Sequence, residues 1–388
     1  MNTAYLPTTI LMNPAIQKTI ALLLLIAIGL LLKAKLSDRE QLGGVKVLIL
    51  SVALPAMIFV ALLKIEVEPA LFFLPLLALG FNLIMLGAGR FVLPLFGIEV
   101  DSPTFRTYWL LMPSLAPGLS CFPFVIEYLG EESLAHAALA DVGNKVFGLI
   151  LLYLLAMHLF YRVSSAGGVP LGEKVKGLLL ALVKEPINVV IVLGLVMLAF
   201  GLNLESLPFF LQDPILRISA MMTPLVLIFI GMAVRFNRQQ FGQIFHVLVC
   251  RAGMAFCLSA LLISFAPVTA PAGLLLIVVF PQSAASFWPF AHMSAVSSLE
   301  GGGTRTFNLE LALNILALSL PLSTVIILAV CSVGTFFTQP MALWAIGGSL
   351  LLATVLPSLL RRLRAQGSAQ GSMPVSGVER LAEMREEG

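Results

Sequence analysis

Residues 112–124 read Met-Pro-Ser-Leu-Ala-Pro-Gly-Leu-Ser-Cys-Phe-Pro-Phe, in the middle of an apolar segment. A related stretch, Pro-Gln-Ser-Ala-Ala-Ser-Phe-Trp-Pro-Phe, occupies residues 281–290 of a second apolar segment. Both stretches end in Ser-x-x-Pro-Phe, which begins at Ser120 in the first copy and at Ser286 in the second. Because proline removes a backbone donor and clashes with the preceding helical turn, neither segment can form an unbroken helix. The sequence therefore predicts two interrupted helices at matched positions, with non-helical backbone near residues 117–121 and 283–287 and the two breaks in contact with one another.

The composition places these segments in a membrane. Hydrophobic residues make up 59% of the 388-residue chain and charged residues only 11%, with a mean hydropathy of +1.01. Soluble domains carry about 25% charged residues, and a helix needs about 20 apolar residues to cross a bilayer. About eleven such stretches recur here, at 17–33, 44–63, 70–96, 107–127, 135–161, 184–202, 213–234, 245–266, 272–298, 308–334 and 340–360.

The charges of the loops predict how the chain is oriented. Basic residues follow the first, fifth and last spans, where they include Lys33, Lys35, Arg39, Lys46, Arg162, Lys174, Lys176, Lys184, Arg361, Arg362 and Arg364. Acidic residues mark the alternate loops, with Glu66, Glu68, Glu127, Glu131, Glu132, Glu205 and Asp213. Basic loops stay in the cytoplasm. We therefore expect a multi-pass protein of the cytoplasmic membrane with its N-terminus outside, its C-terminus inside and an odd number of spans.

The separation between the two interrupted segments predicts an inverted repeat. A second matched pair, Pro55 and Pro224, has nearly the same separation along the chain. This separation covers five spans, and five is odd, so the second copy enters the membrane from the opposite side, as in many transporters. The predicted units are a first repeat, a cytoplasmic connector, a second repeat, an extra helix and a cytoplasmic tail, at 15–162, 163–183, 184–334, 335–360 and 361–388.

Matched interrupted helices are typical of a transporter's substrate site. A break exposes backbone amides at the start of the second half-helix, and such ends attract anions. The candidate substrate-binding residues lie in and around the two breaks: Pro117, Gly118, Ser120, Cys121, Pro123, Ser283, Ser286 and Pro289. The alternative is a pair of proline-kinked helices that bind nothing.

Ionisable residues inside apolar spans form a second candidate site. Asp141 and Lys145 are four residues apart on the fifth span, so they face one another along one side of the helix. Such groups are costly in a membrane and are candidates for coupling transport to an ion. With Asn144, and with Asn308, Glu310 and Asn314 at the matching position of the second repeat, they are the candidate coupling residues. The alternatives are a structural ion pair, and an interfacial position for Glu310.

The remaining polar residues have simpler interpretations. Asn82 is expected to form a hydrogen bond between helices, and Arg251 to snorkel from the cytoplasmic end of its span. His158 and His292 are packed or interfacial histidines, with a proton-relay role as the alternative. The four cysteines, Cys121, Cys250, Cys257 and Cys331, are expected to be apolar fillers.

Several short motifs resemble the auxin efflux carrier family, in particular its bacterial permeases. They are Ile28-Gly29-Leu30-Leu31-Leu32-Lys33, Leu54-Pro55-Ala56-Met57-Ile58-Phe59, Gly130-Glu131-Glu132, Ala137-Ala138-Leu139-Ala140-Asp141-Val142-Gly143-Asn144, Lys184-Glu185-Pro186, and Thr223-Pro224-Leu225 continuing to Gly231. The likeness covers about 15–334. The chain departs from the family where Pro113-Ser114 to Pro117-Gly118 replaces the usual Asn-x-Gly, and in its extra helix.

The resemblance implies an all-α membrane protein of ten core helices in two inverted five-helix repeats, with broken, crossing helices 4 and 9. The eleventh helix lies outside that core. A domain built on the crossing would move against a scaffold of spans 1, 2, 6 and 7. The family transports organic anions such as indole acetate, malate and malonate.

We therefore expect a secondary transporter of a small organic anion, with membrane lipid as its surroundings. The alternatives are a sodium-coupled symporter of the bile-acid type and a membrane receptor that binds without transporting. The sequence has no Gly-rich phosphate loop, HExxH or Asp-rich motif, so we expect neither an enzyme nor a cofactor or metal, and no nucleic-acid partner. Coupling to H⁺ or Na⁺, and a homodimer, stay open.

Overall fold

The computed structural model describes residues 14–33, 39–64, 73–163, 186–233, 241–265, 270–300 and 305–370, together with single residues between these ranges. Every regular element in these ranges is helical. The expected cytoplasmic connector and tail lie largely outside the described residues.

The described part of the first half of the chain contains eight helices. They are α1 (Pro14–Leu32), α2 (Arg39–Leu48), α3 (Leu54–Leu62), α4 (Phe73–Val92), α5 (Pro103–Leu111), α6 (Pro117–Ser120), α7 (Phe122–Val146) and α8 (Leu152–Val163). Single π-helical turns, Ile49–Ala53 and Phe147–Leu151, join α2 to α3 and α7 to α8. Pro55, at the start of α3, explains the first of these turns because it lacks a backbone donor.

The second half continues with seven helices in the ranges that the structure describes. They are α9 (Pro186–Ala199), α10 (Phe209–Ala233), α11 (Phe241–Phe265), α12 (Pro271–Val279), α13 (Trp288–Ser297), α14 (Leu309–Val333) and α15 (Pro340–Gln370). A 3₁₀ turn, Phe280–Gln282, extends α12, and another, Gly334–Thr338, follows α14.

The helices define a multi-pass membrane protein. Seven helical stretches in the described ranges are long and apolar enough to cross a bilayer: Glu40–Leu62, Phe73–Phe96, Phe122–Val163, Phe209–Ala233, Phe241–Phe265, Leu309–Thr338 and Pro340–Ser358. Three shorter apolar stretches accompany them, Gln17–Leu32, Pro186–Ala199 and Pro271–Gln282. Large apolar side chains point outward from the bundle, among them Leu31, Phe91 and Phe265, which are 77%, 76% and 81% exposed. A lipid environment removes the cost of such exposure.

Helix α1 packs very closely against α10. A Cβ added to Gly29 would lie 2.1 Å from the carbonyl oxygen of Ile228, and one added to Gly231 would lie 2.1 Å from the carbonyl oxygen of Ile26. Small residues permit this approach of two backbones, which is a common way for helices to associate in membranes. Helix α3 packs against both α9 and α10, so α1, α3, α9 and α10 form one group.

A second group surrounds the two interrupted segments. Helix α4 packs against α7, α15 packs against α11, and α12 contacts α7, α11 and α14. The sequence predicted a loop between spans 107–127 and 135–161. An interruption occurs there, because Gly130 (φ 88°, ψ −178°) is not helical and divides α7 into two helices. Glycine can adopt a positive φ without steric cost, so one residue replaces the expected loop.

Candidate functional site

The two interrupted segments meet inside the bundle. In the first, α5 ends at Leu111, residues 112–116 are not α-helical, and the chain resumes with the single turn of α6 before α7. In the second, residues 283–287 separate the 3₁₀ turn from α13. The backbone N–H of Ala116 donates to the carbonyl oxygen of Ala284 at 2.8 Å, so the two non-helical stretches are in direct contact.

The first break lies a few residues earlier than expected, since we placed it at about 117–121. Pro117 explains the shift, because proline is well suited to the first position of a helix, where no backbone donor is needed. It therefore begins the short helix α6 and does not interrupt one.

Two serines hold the crossing together. Ser120 Oγ donates to the carbonyl oxygen of Ala116 at 2.8 Å and accepts from the backbone N–H of Ala284 at 2.9 Å. Ser114 Oγ accepts from the backbone N–H of Ser286 at 3.1 Å. These bonds satisfy backbone donors that the breaks leave without helical partners, as burial in an apolar bundle requires.

The other candidate substrate residues lie around the same crossing. Ser283 Oγ donates to the carbonyl oxygen of Phe280 at 2.6 Å, and Ser286 Oγ accepts from the N–H of Trp288 at 3.3 Å. Cys121 is fully buried, Gly118 is half-buried, and the buried prolines begin the half-helices, with Pro117 in α6, Pro123 in α7 and Pro289 in α13. The structure thus brings most of this predicted set together.

Arg251 is the site residue whose position the sequence analysis misjudged. It is 5% exposed and lies in the interior of α11, so it does not snorkel toward the cytoplasm. Its Nε donates to the carbonyl oxygen of Met112 at 2.8 Å, and its Nη2 donates to those of Ser114 at 3.2 Å and Ser283 at 2.8 Å. Both interrupted segments therefore bind this one guanidinium.

A sequence signal for Arg251 existed. Arg251 follows Asn82 in the chain by the same separation that relates Pro224 to Pro55. In the predicted repeat, Arg251 would be equivalent to Asn82, an intramembrane polar residue. Asn82 is fully buried in α4.

The predicted ion pair on the fifth span is present and buried. Lys145 Nζ lies 3.3 Å from Asp141 Oδ2, and both side chains are less than a tenth exposed. Asn144 Nδ2 donates to Asp141 Oδ1 at 2.8 Å and to the carbonyl oxygen of Leu115 at 3.0 Å, while its Oδ1 accepts from Asn82 Nδ2 at 3.0 Å. The network therefore connects α4 and α7 to the first break.

The candidate coupling residues of the second repeat have a different setting. Asn308 caps α14, because its Oδ1 accepts from the N–H of Leu311 at 3.0 Å, and its own N–H donates to Thr107 Oγ1 at 2.9 Å. Glu310 is exposed in the first helical turn, where the helix dipole favours an acid. Asn314 is half-buried one turn further along. Asn308 therefore ties the start of α14 to α5.

A small pocket with polar and apolar lining lies beside Arg251 and has room for about one water molecule. It is lined by Arg251, Gln282, Ser319 and Ser323, together with Leu248, Ala252, Leu322 and Ile326. Ser323 Oγ donates to the carbonyl oxygen of Gln282 at 2.5 Å, and Ser319 Oγ accepts from the N–H of Ala285 at 3.2 Å. The second break thus borders the pocket.

The two histidines differ in setting. His292 is buried, with its Nε2 2.9 Å from the carbonyl oxygen of Gly148 and its ring edge-on to Tyr153 at 5.4 Å. Gly148 lies in the π-helical turn after α7. His158 is exposed. His292 is therefore a packed histidine that joins α13 to the turn between α7 and α8.

The charges near the crossing do not cancel. Among the described residues, the buried charged side chains are Arg106, Asp141, Lys145 and Arg251. Arg106 lies elsewhere, where its Nε donates to the carbonyl oxygen of Thr306 at 2.7 Å. Asp141 and Lys145 neutralise one another, which leaves Arg251 as a net positive charge. Within the described ranges no cluster of His, Cys, Asp and Glu could hold a metal ion.

Comparison of the chain with protein-family models and with curated proteins finds no match.

Proposed function

We propose that this protein is a secondary transporter that moves a small organic anion, a carboxylate, across the cytoplasmic membrane by alternating access. The observation that carries the proposal is the buried contact between two interrupted helices, where Ala116 bonds to Ala284 across the crossing. Transporters bind substrates where discontinuous helices present half-helix ends near the middle of the membrane. Non-helical backbone within a membrane is tolerated only where protein or a cavity satisfies its polar groups. Such backbone therefore supports a binding site at the crossing.

The packing of the helices supports ten core helices in two inverted five-helix repeats. In the proposed repeat, α9 corresponds to α1 and α10 corresponds to α3. Helix α1 packs against α10, and α9 packs against α3. In the same way α5 contacts α14, and α12 contacts α7. These two pairs of contacts are related by exchange of the halves, as a two-fold relationship requires.

The charge at the crossing supports an anionic substrate. Arg251 carries a buried positive charge, and in the described part of the chain no carboxylate forms an ion pair with it. Its Nη1 makes no hydrogen bond to a described residue, and the guanidinium borders the small pocket. The N–H donors that remain on Nη1 could bind a carboxylate oxygen through a charge-assisted hydrogen bond.

The separation of the helices into two groups supports the mechanism. The group of α1, α3, α9 and α10 corresponds to the scaffold, and the interrupted segments lie in the other group. The pocket beside Arg251 is too small for a carboxylic acid of several carbons. We propose that binding requires one group to move relative to the other, which would open the site to one side at a time.

Counterflow into proteoliposomes tests the proposal. Vesicles loaded with unlabelled acetate, malonate, malate or indole acetate would receive trace amounts of the labelled compound outside, with and without Na⁺ and with and without a pH gradient. We expect accumulation of at least one carboxylate and none of choline or a neutral sugar. Vesicles without protein are the control. Saturable binding without counterflow would identify a receptor instead, and strict Na⁺ dependence a symporter of the bile-acid type.

Membership in the auxin efflux carrier family, an outside N-terminus and a cytoplasmic C-terminus are parts of the same proposal. The motifs named above support the family, and the alternation of basic and acidic loops supports the orientation. Enzymatic activity, a bound cofactor and a nucleic-acid partner are not part of it.

A further inference from the structure

Three carbonyl oxygens converge on the guanidinium of Arg251 from the ends of the first half-helices. Met112 and Ser114 follow the last turn of α5, and Ser283 follows the turn that extends α12. Their oxygens lie 2.8, 3.2 and 2.8 Å from the Arg251 nitrogens that donate to them. Arg251 is therefore the point at which both half-helices end.

This set of ligands is typical of a cation site. The C-terminal end of a helix carries a partial negative charge. In transporters with interrupted helices, such ends and the unwound carbonyls beside them coordinate the coupling cation. Carbonyl oxygens are also the ligands that hard metal cations accept. Here the same kind of site holds a cation that belongs to the protein itself.

The three carbonyls stabilise the charge of Arg251 without cancelling it, because they are dipoles with no net charge. No described carboxylate lies within salt-bridge distance of it, and the side chain is 5% exposed. A buried charge without partners is strongly unfavourable. Three hydrogen bonds, two of them from Nη2, therefore replace both water and an acidic partner.

We infer that Arg251 is a tethered cation, which occupies at the helix crossing the place that a soluble coupling cation would take. Both half-helix ends are then neutralised permanently. Arginine does not lose its proton in proteins, so this charge is not released by pH either. The crossing itself thus binds neither Na⁺ nor H⁺ during a cycle. The inference deepens the proposed function by assigning its ion requirement, but the cation role does not depend on transport.

The inference also separates two charged sites. An ion that drives transport would bind away from the crossing, and the network of Asp141, Asn144 and Lys145 is the candidate for its site. Arg251 supplies only a constant charge, and its remaining donors on Nη1 stay available to an anion. The same residue can therefore replace the cation and attract the substrate.

Chemical rescue tests the inference. The variant Arg251→Ala removes the guanidinium and leaves a space lined by carbonyls. We expect its thermal unfolding temperature in detergent to fall, and to recover in a saturable way with millimolar methylguanidinium but not with choline at equal ionic strength. The matched control is Arg217→Ala, whose arginine is exposed and paired with Asp213 at 2.7 Å. That control should show no such response.

The wild-type protein supplies the second measurement, which needs no variant to fold. Its unfolding temperature should be the same in Na⁺, K⁺ and choline at equal ionic strength. Specific stabilisation by Na⁺ would overturn the inference, as would an Arg251→Ala variant that is as stable as the wild type and insensitive to methylguanidinium. If Arg251→Ala does not fold in any buffer, the wild-type comparison decides between the two outcomes.

Both measurements read stability, so they do not depend on the counterflow experiment. Rescue without counterflow of any anion would keep the tethered cation and reject the transporter. Counterflow that requires Na⁺, together with Na⁺ stabilisation of the wild type, would keep the transporter and reject the tethered cation.

Discussion

Asn144 Nδ2 donates a hydrogen bond to the carbonyl oxygen of Leu115, at 3.0 Å, and so connects a buried ion pair to the non-helical stretch between α5 and α6. The same Nδ2 group donates to Asp141 Oδ1 at 2.8 Å, and Asp141 pairs with Lys145. Both hydrogens of the amide are therefore used. A change of charge at Asp141 would alter the bond that Asn144 offers to the non-helical backbone.

Asp141→Asn should abolish concentrative uptake but leave substrate binding and passive exchange. The substitution removes the negative charge and leaves Lys145 buried without its counter-ion. We also expect the free energy of unfolding to fall by about 3–5 kcal/mol, as for other broken buried ion pairs. Uptake against a gradient, exchange at equilibrium and denaturant unfolding measure the three effects. Glu132→Gln is the control, since Glu132 is an exposed acid on the same helix.

The double variant Asp141→Asn with Lys145→Met separates coupling from structure. It removes both charges, so most of the lost stability should return. If the pair couples transport to an ion, concentrative uptake should stay absent even though the protein is stable. Full concentrative uptake by the double variant would show that the pair is only structural.

Ser120→Ala should weaken both the fold and the binding of the anion. The substitution leaves the N–H of Ala284 without the oxygen that accepts from it at 2.9 Å. An unsatisfied buried donor costs about 1–3 kcal/mol. Ser298→Ala is the matched control, because Ser298 is exposed and its hydroxyl donates only to the carbonyl oxygen of Ser294. Thermal unfolding and competition binding compare the two, and equal behaviour would exclude a role for the Ser120 hydroxyl.

Gly143→Ala should separate α4 from α7. A Cβ at Gly143 would lie 1.8 Å from the carbonyl oxygen of Pro75, which is backbone and cannot rotate away. The helices must therefore move apart, which would lengthen the bond between Asn82 and Asn144. We expect a loss of about 1–3 kcal/mol or more. Gly87→Ala, with nothing within 4 Å of the added Cβ, should be neutral or slightly stabilising. Thermal stability of the two purified variants is the measurement.

The breaks and the buried ion pair could be predicted from the sequence because both follow from local rules. Several prolines close together disfavour a continuous helix, whereas a single proline, such as Pro321 in α14, lies inside one. Residues four apart on a helix face one another. The contact between the two breaks was expected from their matched positions in the repeat. A loop was predicted between residues 127 and 135, but not that Gly130 alone would form it, because a positive φ depends on the direction that the next helix must take and leaves no separate pattern in the sequence.

The role of Arg251 was missed for a different reason. Its partners are three backbone carbonyls on segments far away in the chain, and backbone groups have no sequence signature. An arginine in an apolar span is expected to snorkel toward the membrane surface unless the packing of that span is known. The one sequence feature that marks Arg251 is its separation from Asn82, which equals the separation of Pro224 from Pro55. That feature has meaning only once the repeat has been recognised.

Two exposed ion pairs join the two groups of helices on either side of Gly130. Lys64 Nζ lies 2.6 Å from Glu131 Oε2, and Lys18 Nζ lies 3.6 Å from Glu127 Oε2. The side chains of Lys64 and Glu131 are 44% and 38% exposed. A double-mutant cycle with Lys64→Gln and Glu131→Gln should therefore give a coupling energy below about 1 kcal/mol, and less at high salt because such charges are screened.

The same pair should matter more for rate than for stability. Under the proposed mechanism the two groups separate in each cycle, so the Lys64–Glu131 pair must break each time. We expect Lys64→Gln to raise the counterflow rate at low ionic strength and to match the wild type at high salt. Arg217→Gln removes an exposed arginine whose Asp213 partner lies on its own helix. It should leave the counterflow rate unchanged at both low and high ionic strength. A rate that falls, or a coupling energy above about 2 kcal/mol, would mean that the pair holds a structure that stays closed throughout the cycle.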